Sequence, residues 1–216
     1  KTLDVLLGEG GGAFRPRSSY PLDSAPAALR LGDLSGDGRP DVVVVYDGAG
    51  SGALDILVND GAGAFPAARY RQSRVGQGPL RSPTLLDIDH DGTLDLAFLS
   101  EGEDRLHVWR NRGGRLDDLL RAEYGTGRGP RALEAGDVDG DGEIDLAVAQ
   151  ADGALTLLLN EGRDPARRGL LRAHETRLPT GQGGLRVILV DADKDGATDV
   201  GLITPTVVYV FSNRSK

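Results

Sequence analysis

The feature that most constrains this chain is a nine-residue pattern written four times, Asp-x-(Asp/Ser)-x-Asp-Gly-x-x-Asp. It stands in GDLSGDGRPDVVVVY from Gly32, LDIDHDGTLDLAFLS from Leu86, GDVDGDGEIDLAVAQ from Gly136 and VDADKDGATDVGLIT from Val190. The leading aspartates Asp33, Asp87, Asp137 and Asp191 are separated by 54, 50 and 54 residues. Carboxylates packed so closely repel one another unless something positive lies between them. A fixed period of this length marks repeated structural units, none of which can bury its apolar face alone.

The likeness between copies extends well past the loops. A Gly/Pro-marked apolar segment precedes each one: SAPAALRL, GPLRSPTLL, GPRALEA and GGLRVILV. After each loop comes a β-rich run, then a second apolar segment ending near Asn59, Asn111, Asn160 or Asn213: LDILVND, RLHVWRNR, LTLLLNEG and VVYVFSNR. A weaker fourth segment follows, as in FPAARYR and LDDLLRAEY. Four short strands per unit with turn chemistry between them predict an all-β fold, a β-propeller of four-stranded antiparallel blades. The runs straight after the loops, such as residues 42–45 and 146–149, are apolar at every position, as expected of strands covered on both faces by neighbouring blades. By this reading the chain opens on the third strand of a unit, residues 3–7, and ends on the third strand of another, residues 207–211, for seventeen strands in all. Four closed blades need sixteen, with residues 14–22 completing the last. The expectation is therefore one domain over residues 1–216 with about four to five blades, either a ring or an arc of a larger propeller.

The unit resembles the FG-GAP/VCBS repeat of integrin α-subunit-like propellers. GGGAF at residues 10–14 and GAGAF at residues 61–65 match its Phe-Gly/Gly-Ala-Pro region loosely, and the four Asp loops match its calcium motif closely. The resemblance covers essentially the whole chain. It implies calcium between the first and second strands of each blade, and an extracellular, cell-surface or periplasmic setting.

Calcium takes roughly six to eight oxygen ligands. In the third loop the side chains of Asp137, Asp139, Asp141 and Asp145 can supply them, with the main-chain carbonyl of Glu143 at position seven. The corresponding sets are Asp87, Asp89, Asp91, Thr93 and Asp95; Asp191, Asp193, Asp195, Ala197 and Asp199; and Asp33, Ser35, Asp37, Arg39 and Asp41. Position seven holds Arg, Thr, Glu or Ala, the indifference to side chain that a carbonyl ligand predicts. Gly follows the third ligand in each copy, where a sharp turn needs positive φ. An EF-hand is excluded, because its position-twelve Glu is replaced by Val44, Phe98, Val148 and Leu202 and the flanks read as strands. Asp-Gly clusters also form ordinary hairpin turns, but four copies that each keep the ninth Asp favour a metal, about four Ca²⁺ per chain. Magnesium fits less well, since it prefers to keep its water. Ser35 leaves the first loop one carboxylate short, so that loop is expected to bind most weakly.

The charge follows the same division. The formal net charge is −8, yet the loops hold fifteen aspartates, and setting those aside leaves 18 of the 33 acids against 25 bases. The acidity belongs to the loops, and the overall balance argues against a nucleic-acid partner. No apolar run approaches the roughly 20 residues of a membrane-spanning helix. The chain has no Cys, so a thiol nucleophile, disulfide or zinc-thiolate site is excluded.

Other motifs are weak. GEGGGA at residues 8–13 matches a dinucleotide fingerprint, but Pro16 prevents a helix from opening after it, so it reads as a repeat turn. His90, His107 and His174 fall at unrelated positions of their repeats, and no triad order or His pair accompanies them. Asn213-Arg214-Ser215 matches the glycosylation sequon. Trp109, the only tryptophan, suits blade packing better than sugar stacking, since its repeat equivalents are apolar. The expectation is a non-enzymatic, calcium-stabilised protein-binding, adhesion or scaffold module, using its Arg-rich outer strands and loops. The alternatives are a lectin-like carbohydrate-binding propeller or the non-catalytic part of a larger secreted enzyme. Tyr20, Tyr70 and Tyr124 recur in the fourth strand but have no fourth counterpart, which disfavours the lectin.

Overall fold

The structure is a computed structural model that describes residues 1–48, 50–65, 69–115, 119–162, 167, 169–177 and 183–213. The strands group as the repeat predicts. Strands β1 (Thr2–Gly10) and β2 (Ala13–Pro21) form a pair. Three four-stranded sheets follow: β3 (Pro26–Gly32), β4 (Asp41–Tyr46), β5 (Ser51–Leu57) and β6 (Arg69–Gln77); β7 (Leu80–Leu86), β8 (Asp95–Ser100), β9 (Arg105–Arg110) and β10 (Leu120–Gly125); and β11 (Pro130–Gly136), β12 (Asp145–Gln150), β13 (Ala154–Asn160) and β14 (Leu171–Arg177). The last sheet has three strands, β15 (Arg186–Val190), β16 (Asp199–Ile203) and β17 (Val208–Phe211). All pairings are antiparallel between consecutive strands, so each unit is an up-and-down meander. Among the described residues no helix is long and apolar enough to cross a membrane.

The second strands form the core, and their sequences explain why. Every residue of DVVVVY, DLAFLS and DLAVAQ is buried. Alternate residues of each strand serve opposite neighbours, as the pleat requires. Val43 and Val45 of β4 pack with Leu96, Phe98 and Trp109 of the second four-stranded sheet. Ala97 and Leu99 of the same β8 pack with Leu146 and Val148 of β12, while Ala147 and Ala149 meet Val200 and Leu202 of β16. At the other end Val42 and Val44 receive Leu3, Val5 and Tyr20 of the β1–β2 pair. Burial on both faces thus turns three apolar tetrads into the seams between sheets.

The two end sheets are where that sharing stops. Strand β2, read above as able to complete the last blade, is hydrogen-bonded to β1, and the three-stranded sheet stands separately. Val190 on β15 and Val208 and Val210 on β17 are exposed, as are Leu29 and Leu31 on β3. No closed ring is formed among the described residues.

Candidate metal sites

Each Asp loop joins the first strand of a sheet to the second, and register fixes its ends. The ninth aspartate always pairs with the residue before the first: Asp41 with Gly32, Asp95 with Leu86, Asp145 with Gly136 and Asp199 with Val190. Within that frame the first aspartate accepts main-chain N–H groups across the turn. Asp33 accepts from Gly36 and Gly38 at 2.7 Å each, Asp137 from Gly140 and Gly142 at 2.8 and 2.9 Å, Asp87 from Gly92 at 3.0 Å, and Asp191 from Gly196 at 3.1 Å. The position-six glycines Gly38, Gly92, Gly142 and Gly196 have φ of 83°, 87°, 88° and 90°, as the turn demands. Position four also lies at positive φ, in Gly36, His90, Gly140 and Lys194.

The ninth aspartate is fully buried in all four units. Its Oδ2 accepts an N–H from its own loop: Leu34 and Ser35 on Asp41, Ile88 on Asp95, Val138 on Asp145 and Ala192 on Asp199, at 2.8 to 3.0 Å. Its Oδ1 accepts the N–H of the asparagine that ends the third strand, at 3.0 Å from Asn59, 2.7 Å from Asn111, 2.8 Å from Asn160 and 2.8 Å from Asn213. These carboxylates clamp loop, second strand and third strand together. An oxygen that accepts a single N–H retains a further lone pair for a cation.

Loops two to four gather acidic oxygens. In Asp87, Asp89 and Asp95, in Asp137, Asp139 and Asp145, and in Asp191, Asp193 and Asp199, one carboxylate oxygen from each residue lies within 4.8 Å of the others. These three clusters can hold a metal ion. The electrostatics favour one: burial pushes the Asp95 carboxyl up to about 7 and that of Asp145 up to about 6. Burial, with the neighbouring Asp91 and Asp87 charges, also raises Asp89, although Arg110 opposes the shift from 3.7 Å. Asp89 Oδ1 is buried with no hydrogen-bond partner. A group of ionised carboxylates so desolvated calls for a bound cation.

The position-five carboxylates Asp37, Asp91, Asp141 and Asp195 stand outside these triads. Each accepts the N–H of position seven, at 3.0 Å from Arg39 and 2.9 Å from Thr93, Glu143 and Ala197. The position-seven side chains diverge. Arg39 pairs with Asp37, Thr93 Oγ1 donates to the Asn111 carbonyl, and Glu143 Oε2 stands 3.0 Å from His90 Nε2 of the preceding loop. The first loop forms no acidic triad among the described residues. Ser35 stands where the others have a carboxylate, its Oγ buried without a partner.

The sequence reading missed the asparagines, treating them only as markers of a strand end. Their side-chain amides reach back one unit: Asn111 Nδ2 donates to Leu34 O at 2.7 Å, Asn160 to Ile88 O at 2.9 Å, and Asn213 to Val138 O at 2.7 Å. The amide of Asn59, whose preceding unit is the two-stranded one, stays within its own unit: Nδ2 donates to Pro40 O at 3.0 Å and Oδ1 accepts from Gly61 N–H at 2.9 Å. The signal was their recurrence at intervals of 52, 49 and 53 residues. In the sequon, Arg214 and Ser215 lie outside the described residues, as does the His174 side chain. Trp109 is buried edge-on to Phe98 at 5.1 Å with the Arg121 guanidinium over its ring at 4.3 Å, a packing residue.

Among protein families, the FG-GAP-like repeat matches residues 33–98, 87–148 and 137–202. Each match runs from the leading aspartate of one loop to three residues past the ninth aspartate of the next, the phase of the repeat read from the residues. No curated protein matches the chain.

Proposed function

The chain belongs to the FG-GAP-like repeat family, and on that footing we propose that it is a calcium-stabilised β-propeller, or an arc of one, acting as a non-catalytic binding and scaffold module. The observation that carries this reading is the recurrence of the acidic triad at positions one, three and nine of loops two to four, each anchored by its buried ninth aspartate. Hard oxygen donors in such number suit calcium, and carboxylates already tied by N–H bonds suit a structural ion. Calcium there links the first strand to the second in every blade, so binding stabilises the fold. Position five and the position-seven carbonyl complete the proposed ligand set. The first loop, with three carboxylates, is a weaker fourth site.

Such sites fill at the free calcium of extracellular or periplasmic fluid, which is the setting proposed. The contact surface is proposed to recognise a protein partner. A lectin role has less support, because Trp109, the aromatic best suited to stack on a sugar, is buried. Thermal melting of chelator-treated protein, with calcium or magnesium added back, tests the reading. Calcium is expected to raise the melting temperature well above magnesium, and identical melting in chelator, calcium and magnesium would overturn it.

A further inference from the structure

The first strands β3, β7, β11 and β15 line one cavity of about 280 Å³. Each strand contributes an arginine to it: Arg30, Arg81, Arg131 and Arg186. Among the described residues, the only acidic one on its wall is Glu134. Arg81 is held by Glu101 at 2.9 Å, and Arg30 touches the carbonyl of Leu29 at 3.2 Å. The guanidiniums of Arg131 and Arg186 have no hydrogen-bond or ion-pair partner among the described residues. In a chain of net charge −8, four arginines converging on one cavity, two of them uncompensated, is the arrangement least explained by folding.

The backbone is shaped around this cavity. The ladder register slips between Pro26 and Ala28, between Arg81 and Thr84, and between Pro130 and Ala132. Three first strands therefore bulge at the cavity, and bulges re-aim side chains at functional sites. Ser82, in the second bulge, has φ of 47°, an uncommon backbone conformation for a residue with a side chain, and its Oγ donates to Arg131 O at 3.2 Å. That bond ties the bulge of one sheet to the bulge of the next. The six residues from Arg81 to Asp87, or from Arg131 to Asp137, span about 20 Å at the usual strand rise. At physiological salt that is more than two Debye lengths, so the acidic loops leave the positive field of Arg81 and Arg131 largely uncancelled, whereas Arg30, three residues before Asp33, stands nearer its loop.

We infer that this cavity binds a compact oxyanion carrying at least two negative charges, a phosphate monoester or a dicarboxylate. Planar guanidinium forks match both groups. The volume lies at the small end of ligand pockets, which excludes a polymer and admits a metabolite-sized anion. The inference goes beyond the calcium reading and does not depend on it, because no Asp-loop residue lines the cavity.

The test is calorimetric titration of succinate, and separately of glycerol 3-phosphate, into the calcium-loaded protein at low ionic strength. Both probes chelate calcium only weakly. One site is expected for at least one probe, and the probe that binds identifies the carboxylate or the phosphate source. The Arg131→Ala/Arg186→Ala double variant should lose at least about tenfold in affinity with an unchanged melting temperature. Arg131→Lys/Arg186→Lys, which keeps charge but loses the fork, should fall between. Should the alanine variant fold poorly, Glu134→Gln provides the opposite sign, a several-fold gain. Failure of both probes to bind the wild type, or equal binding by wild type and every variant, overturns the assignment.

Discussion

In the first unit Asp33 caps the N–H groups of Gly36 and Gly38, and Asp41 accepts from Leu34 and Asn59. In the third unit Asp137, Asp145, Val138 and Asn160 repeat the same bonds. The two loops differ in what fills the centre: Ser35 against Asp139 at position three, and an Arg39 that pairs with the position-five carboxylate against a Glu143 that turns to the neighbouring loop. Only the third gathers an acidic triad. A loop without the triad keeps the backbone frame, so hydrogen bonds from positions one and nine set the loop's shape, and position three decides whether the shaped loop holds a cation. The first loop is an internal control for the other three.

The largest break of this comparison comes from position nine. Asp145→Ala and Asp41→Ala each strip a buried clamp from two or three main-chain N–H groups, and each is expected to cost about 3 kcal/mol in chelator by urea unfolding. In calcium the two should part, since Asp145→Ala also removes a ligand of a triad. Next in size is position three. Asp139→Ala should leave stability in chelator unchanged and lower the number of bound calcium ions by one, forfeiting about 2–3 kcal/mol of calcium-dependent stability when the site is near saturation. Ser35→Asp should do the reverse and tighten the first site by about tenfold or more.

The repeat was legible because the same forces act in each copy. Apolar tetrads such as residues 42–45 announced burial on both faces, and the strand grouping of two, four, four, four and three followed from the phase of the copies. Position six advertised its positive φ as glycine in every loop. Position four has the same geometry, but His90 and Lys194 occupy it in two copies, so no single residue type marks it. The asparagine clasp was illegible for a different reason. Asn111 and Leu34 are 77 residues apart, and no local pattern encodes a bond that exists only once two sheets pack. Positions one, three, five and nine were all read as ligands from their spacing; the fold gathers one, three and nine into clusters, with position five beside them holding the position-seven N–H.

The clasp provides a smaller test of the first unit against the rest. Asn160→Ala removes buried and half-buried bonds to Ile88 O and Ile144 O and should cost about 1–2 kcal/mol, whereas Asn59→Ala removes exposed bonds to Pro40 O and from Gly61 N–H, both within its own unit, and should cost less. Both are read by chemical denaturation in chelator. The smallest expected effect lies at His107, which has no histidine counterpart in the other units. It stacks on Phe98 at 4.9 Å, between Glu103 and Glu123, and burial holds its pKa below the ordinary 6.5 despite those carboxylates. Below pH 6.5 the unfolded chain takes up the proton before the folded one, so stability falls with pH until the folded imidazole also protonates. His107→Gln should flatten that acid slope by at most about 1.4 kcal/mol per pH unit.

The most direct test of the division between loops is calorimetric titration of calcium into the chelator-stripped protein. Three ions bound tightly, followed by a fourth held at least about tenfold more weakly that Ser35→Asp brings level, is the predicted result. Four equivalent sites, or none, would contradict it.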